Sequence, residues 1–159
     1  AAGNYDIMAA VMIGGMVPSC AIALATLLFK DKFTKEEKQS GPVNFIMGLA
    51  FITEGAIPYA ASDPLHVLPA CIIGAGISFI TEGAIPFAAS DPLHVLPSCV
   101  VGSAVAGALS MAFNCTLMAP HGGIFVFPVV GNAMMYLAAL AIGTIVSTAL
   151  LGLLKKKVA

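Results

Sequence analysis

Two glutamates in strongly apolar sequence are the residues of this chain best suited to chemistry: Glu82 in Thr81-Glu82-Gly83, and Glu54 in Thr53-Glu54-Gly55. Each is followed at once by Gly and then by Pro58 or Pro86, a pattern that breaks a helix close to the carboxylate. A carboxylate at such a break is open to whatever fills the adjoining space. It can accept hydrogen bonds from two neighbouring hydroxyls, as a sugar offers, or take a proton from one of them if its pKa suits. An ionisable group in membrane-embedded sequence is costly to place, so it is a functional-site hypothesis by default. The competing reading is structural, with each glutamate capping a neighbouring helix or staying protonated and hydrogen-bonded.

Asp91 and Asp63 read differently. Ser90-Asp91-Pro92 has the form of a helix N-cap with proline at the first helical position, and Ser62-Asp63-Pro64 repeats it. His94 and His66 follow three residues later on the same helical face, where they could pair with the aspartate or meet a phosphorylated partner. His121 stands before Gly122-Gly123 in a Gly/Pro loop, and its ring can donate and accept toward a substrate hydroxyl or the backbone. Asn114 and Asn132, polar residues in apolar stretches, read as helix–helix hydrogen-bonding groups. Cys20, Cys71, Cys99 and Cys115 show no CxxC spacing and read as small buried hydrophobes. Met8, Met12, Met16, Met111, Met118, Met134 and Met135 read as packing. There is no Trp to stack on a sugar, and Tyr59, Phe87 and Tyr136 are weak substitutes.

The elements that must position these groups are membrane helices. Hydrophobic residues make up 59% of the 159 and charged residues 9%, with mean hydropathy +0.98. A soluble domain carries about 25% charged residues. The basic residues fall in two clusters, Lys30, Lys32, Lys35 and Lys38, then Lys155, Lys156 and Lys157, with none between. The positive-inside rule puts both clusters in the cytoplasm, so the chain crosses the bilayer an even number of times between them. No basic patch with interleaved aromatics is present, which argues against nucleic acid. The N-terminus lacks the basic region of a signal peptide. Opening on Ala1-Ala2-Gly3-Asn4 without Met, the chain is expected to be the C-terminal part of a longer protein.

Apolar stretches predict spans over 7–29, 98–118 and 129–154, each long enough for a hydrocarbon core of about 30 Å. Pro18 is expected to kink or break the first. Residues 30–42 read as a charged loop in which Thr34 and Glu37 could form a capping box. In the second span Ser103 with Gly107, and Gly102 with Ala106, allow close helix packing. Residues 119–128 read as a Gly/Pro loop. The stretch 43–97 is apolar but interrupted by Gly and Pro. It contains a 28-residue block, 51–78, and most of its recurrence as 79–106; the first 19 positions differ only at Tyr59 against Phe87. Each copy is too short for two crossings, which take roughly 40 residues, and suits a re-entrant helical hairpin against protein or a water-filled cavity. The expected fold is therefore an all-α polytopic membrane protein with about three spanning helices plus tandem re-entrant hairpins.

FITEGAIPFAASDPLHVLPS, followed by GALSM, CTLMAPHGGIFVFP and the last span, resembles the C-terminal half of the membrane subunit, enzyme IIC, of the bacterial fructose-type phosphotransferase system. GGMVPSCAIALATLLFKDKFTKEE matches the helix and loop that precede the TEG motif there. The resemblance implies a component of a sugar phosphotransferase that binds a sugar, with fructose the family guess, and carries it across the bacterial cytoplasmic membrane. A partner IIB domain would phosphorylate the sugar from a phosphocysteine charged by phosphoenolpyruvate through IIA, HPr and enzyme I. No cysteine of this chain is then the phosphocysteine, and no catalytic residue, metal or cofactor is implied. The motif glutamate of related subunits holds the sugar, and a histidine contributes in some. Substrate-binding candidates are thus Glu82, Thr81, Glu54 and His121, with Asp91 and His94 behind them. The second copy is favoured because Glu82 runs directly into the family-like 98–128 segment.

This sequence departs from the family pattern by carrying two TEG hairpins instead of one and by lacking the first half, which would supply homodimer contacts. The position of His66 and His94 is often Arg in the family. Membrane lipids, the sugar and phosphorylated IIB are the expected partners. An ion-coupled secondary transporter, with Glu54 and Glu82 carrying protons, and an inactive or artefactual membrane fragment are the competing readings.

Overall fold

The computed structural model describes residues 5–51, 84–119 and 121–156. Helix α1 (Tyr5–Leu28) is followed by a 3₁₀ turn at Lys30–Lys32 and by α2 (Lys35–Ala50). After residue 83 come a short helix α3 (Ile85–Ser90), α4 (Pro92–Ala112), strand β1 (Thr116–Leu117), a 3₁₀ turn (Ile124–Val129), strand β2 (Val130–Gly131) and α5 (Ala133–Leu154). Among the described residues α1, α4 and α5 are long and apolar enough to span a membrane. The expected spans are therefore present with shifted ends. Both TEG motifs, residues 52–78 of the first predicted hairpin and residues 79–83 of the second lie outside the described residues; the described part of the second copy is α3 followed by the first part of the spanning helix α4.

Helix α1 is the axis. It packs against α2, α4 and α5, and its residues from Met12 to Ala23 are all buried. Of the kink or break expected at Pro18, the break does not occur, since the helix runs on through it, and the reason is local. A proline inside a helix leaves the carbonyl four residues earlier without its donor, here Gly14. Ser103 of α4 donates its hydroxyl to the Gly14 carbonyl at 2.7 Å. A neighbouring helix thus satisfies the group that proline orphaned, which is the condition for proline inside a membrane helix.

The same contact needs small residues. A Cβ on Gly14 would sit 3.7 Å from Ser103, and one on Gly107 would lie 3.4 Å from the Ala10 carbonyl. Between α4 and α5, a Cβ on Gly143 would come within 2.6 Å of Ala106 and 2.8 Å of the Gly102 carbonyl. Thr148 of α5 adds a hydroxyl shared between its own Thr144 carbonyl at 2.7 Å and the Ala21 carbonyl of α1 at 3.2 Å. The small-residue pairs read from the sequence are the close-packing seam, since backbones approach only where side chains end at Cα or Cβ.

Other boundaries moved for identifiable reasons. Residues 30–42 are not all loop, because α2 begins at Lys35 and runs through Pro42 to Ala50. Its capping box is complete: the Thr34 hydroxyl accepts from the Glu37 amide at 3.2 Å, and Glu37 accepts from the Thr34 amide at 2.8 Å. The second span starts at Pro92, not residue 98, because proline fits the first helical position and Pro97 is carried inside the helix. Asn114 and Asn132 lie between spans, both in left-handed backbone, φ 51° and 61°. Asn132 donates to the Phe113 carbonyl at 2.8 Å, so it closes the α4–α5 connection and does not join two helices. There Thr116 and Leu117 pair antiparallel with Gly131 and Val130. Cys20, Cys99 and Cys115 are buried free thiols, and Cys71 lies outside the described residues. Met12 and Met16 are core, but Met111, Met118, Met134 and Met135 are exposed on the protein surface.

The Gly14–Ser103 contact has a testable signature. Ser103→Ala should cost about 1–3 kcal/mol, the penalty for a buried carbonyl left without a donor. In a Pro18→Ala background, where the helix again provides the donor, the same change should cost much less. Thermal unfolding of the four proteins in one detergent measures the difference, and equal losses in both backgrounds would refute the account.

Candidate functional site

The described site residues fall at two levels of the bundle. Helix α2 runs antiparallel to α1. Gly41 lies against Thr26, and Gly48 lies against Ser19 and Cys20. Sixteen residues at about 1.5 Å each carry α2 from the lysine end to about halfway along α1. It stops at Phe51, whose left-handed backbone (φ 54°) turns the chain and whose amide reaches back to the Gly48 carbonyl.

The Gly/Pro connection between α4 and α5 folds back onto this helix end. His121 stacks edge-on to Phe51, ring centroids 5.7 Å apart. A Cβ on Gly122 would enter the Phe51 ring, and one on Gly123 would lie 2.9 Å from backbone atoms of Leu49 and Ala50. Gly123 has φ 93° and ψ 177°, a conformation open essentially to glycine alone. Glycine is thus required twice over, by close approach and by backbone angle. His121 itself is exposed, against the Phe51 ring at the end of α2. Its donor–acceptor ring suits a hydroxylated ligand.

Asp91 and His94 form the second group. His94 Nδ1 lies 2.6 Å from Asp91 Oδ1, both half-buried. Asp91 occupies the N-cap position of α4 and Pro92 the first helical one, as the sequence expects. Its carboxylate makes no capping bond, because the histidine takes it. The adjacent Ser90 hydroxyl donates to the Phe87 carbonyl at 2.9 Å and reaches Glu37 Oε1 at 3.3 Å.

Asp91 and His94 are thus joined to each other, but His121 is not joined to them. It packs on Phe51 in the core cluster of Met12, Met16 and Tyr136, whereas α3 and the start of α4 belong to the cluster of Phe33, Phe87 and Leu151. Glu82, Thr81 and Glu54 lie outside the described residues. The flanking residues differ: Phe51, which opens the first copy, touches His121, whereas Ala84 in the second copy sits at the lysine end. Sequence reasoning missed Phe51 as the partner of His121. It also missed Glu37, Lys155 and Phe33 at the other level. A capping box accounts for Glu37 locally, so nothing in the sequence pairs it with a lysine 118 positions away.

An apolar groove of about 270 Å³ lies between α1, α2 and α5, lined by Cys20, Phe45, Leu49, Leu137, Leu140 and neighbours. Its lining is almost all carbon, so it suits hydrocarbon and not a polyol.

Comparison with known proteins finds relatives along nearly all of the chain. It is 43% identical over 157 residues to the fructose-specific EIIABC component of the PTS system of Bacillus subtilis, covering 99% of this chain and 20% of that protein. It is 43% identical over 157 residues to the fructose permease IIC component of Bacillus amyloliquefaciens, covering 99% of this chain and 42% of that protein. The fructose-specific EIIC component of Haloferax volcanii is 38% identical over 140 residues, 88% of this chain and 30% of that protein. The chain spans less than half the length of each of these relatives. No protein-family profile and no solved structure matches it.

The two levels should respond differently to substitution. Gly123→Ala places a Cβ on Leu49 and Ala50 in a disfavoured backbone state and should cost about 1–3 kcal/mol, the range for such strain. Asp91→Asn removes a half-exposed pair and should cost at most about 1 kcal/mol. Thermal unfolding of the two variants against the parent would decide, and the reverse order would show the loop is not seated as described.

Proposed function

The chain is a homologue of the IIC membrane components of fructose-specific phosphotransferase proteins, and from that premise we propose that it forms the sugar-binding and translocating part of such a subunit. The single observation that carries this reading is the correspondence over nearly the whole chain, which takes in both the TEGAIPF and APHGGIF stretches. Fructose is the substrate those relatives' names give, and it is the proposed sugar here.

The chemistry follows from the residue types. A sugar presents vicinal hydroxyls, and the carboxylate of a TEG glutamate accepts from two of them. Glu82 is the proposed holder, with Thr81 beside it, and Glu54 is its counterpart in the first copy. His121, packed on Phe51 at the end of α2, adds a donor–acceptor ring for a further hydroxyl. Asp91 and His94 stand near the lysine end, within the second copy at the start of α4. The sugar leaves the site as its phosphate, and a phosphorylated IIB domain provides the phosphoryl group. IIB domains are fused to IIC in several relatives, as the names EIIABC and EIIB'BC record.

Two features of the bundle support the proposed orientation. The first and second lysine clusters meet at one end, where Lys155 Nζ lies 3.0 Å from Glu37 Oε1. Helices α4 and α5 run out from that end and back, which gives the even number of crossings that charge placement requires. The lysine end is therefore the proposed cytoplasmic face in an inner membrane, and it is the face IIB would approach.

Glu82→Gln should abolish phosphoenolpyruvate-dependent fructose phosphorylation by membranes that contain the intact protein, while the protein level stays unchanged. Glu54→Gln, measured in parallel, separates the copies. Loss confined to Glu54→Gln would move the site to the first copy, where Phe51 meets His121. Full activity in both variants would remove the TEG glutamates from the mechanism.

A further inference from the structure

Helix α3 is six residues long and cannot hold its place by its own hydrogen bonds. Its Phe87 and Ala88 pack in the apolar cluster of Ile22, Ala25, Val95, Cys99 and Leu151, and two further side chains reach it, Phe33 from the α1–α2 connection and Glu37 from the first turn of α2. The Phe87 ring of α3 meets the Phe33 ring edge-on, centroids 6.2 Å apart. Ser90, the last residue of α3, reaches Glu37 Oε1 at 3.3 Å. The same two side chains hold the end of α5. Lys155 Nζ lies 3.0 Å from Glu37 Oε1 and 4.2 Å from the centre of the Phe33 ring. Lys155 is only 6% exposed, so its charge depends on this carboxylate and this aromatic face. Lys32 adds a third tie, donating to the Gly152 carbonyl at 2.6 Å.

We propose that Phe33 and Glu37 form a latch at the lysine end, which positions α3 by clamping it to the C-terminus of α5. Glu37 is the centre of it. One oxygen caps α2 through the Thr34 amide, and the other is shared by Lys155 and Ser90. Removing the negative charge leaves a buried ammonium without its counter-ion, and Lys155 must then move toward water. That movement takes it off Phe33 and withdraws the end of α5 from the carboxylate that also holds α3. Glu37 and Phe33 are positioning residues, since they act through α3. The segment they position begins at Ala84, two residues after Glu82. The consequence for sugar binding rests on the reading of Glu82 given above, whereas the latch itself does not.

The test reads α3 directly and needs no sugar. Ala89, half-buried in α3, is replaced by Cys as a reporter, and Val126, buried at the opposite end, is replaced in a separate control protein. The intact protein in membrane vesicles is labelled with a small thiol reagent, and labelling of the parent is subtracted for its own cysteines. Glu37→Gln is the informative variant, because Gln preserves the capping box and removes only the charge. Glu37→Gln and Lys155→Met should each raise the labelling rate at position 89 about tenfold, within the range of coupled charge pairs, and leave position 126 unchanged. The double variant should label no faster than either single one. An unchanged rate at position 89, an equal rise at both positions, or multiplied effects in the double variant would each overturn the proposal. Intact fructose phosphorylation alongside an unchanged rate would overturn the latch and leave the sugar reading standing.

Discussion

The bundle depends on one constraint: away from water, every backbone carbonyl needs a donor. Pro18 violates it at Gly14, and Ser103 repairs it from another helix. That repair ties α1 to α4 at a fixed register. The hydroxyl must arrive at one carbonyl, and Gly107 must simultaneously pass the Ala10 backbone. With α4 set, Gly102 and Gly143 bring α5 against it, and Thr148 returns a hydroxyl to α1. The three helices are thus locked by hydroxyl-to-carbonyl bonds threaded through a seam of small residues. Apolar area alone cannot provide this specificity in a membrane, because lipid tails are as apolar as leucine.

This frame places the described candidate residues at two depths. Helix α2 stops partway along α1 because Phe51 adopts a left-handed turn, which leaves Leu49, Ala50 and Phe51 at its end. The α4–α5 connection then returns to meet them, and two glycines let it approach closely enough to seat His121 beside Phe51. At the lysine end the arrangement is electrostatic. Lys155 meets Glu37 and Phe33, which stand beside the first lysine cluster more than a hundred residues earlier in the chain. Hydrogen bonding to a neutral ligand suits the first level, and charge suits the second.

Much of the fold was legible in the sequence. Spans of apolar residues longer than the hydrocarbon core, closed by lysines, admit few readings, and the three spanning helices follow. The Thr34–Glu37 capping box was also legible, because both partners lie within one helical turn. Asn114 and Asn132 were not, since an asparagine in apolar sequence is compatible with a helix interior or with a left-handed turn, and only the closure of β1 on β2 selects the turn. Asp91 was half legible. Its position before Pro92 marks a helix start, but whether its carboxylate caps the backbone or takes His94 is decided by side-chain geometry within a few tenths of an ångström.

By itself, then, the sequence determined the class of the molecule, its spans, the common side of its two lysine clusters and the candidate chemistry of its glutamates and histidines. These follow from composition, length and short-range spacing, which act before any helix finds its neighbour. The tertiary structure alone decided that Pro18 stays inside a continuous helix, that His121 meets Phe51, and that Glu37 holds Lys155. Each of these joins residues far apart in the chain. Their partners are chosen by which helices pack and at what register, a property that local sequence does not carry.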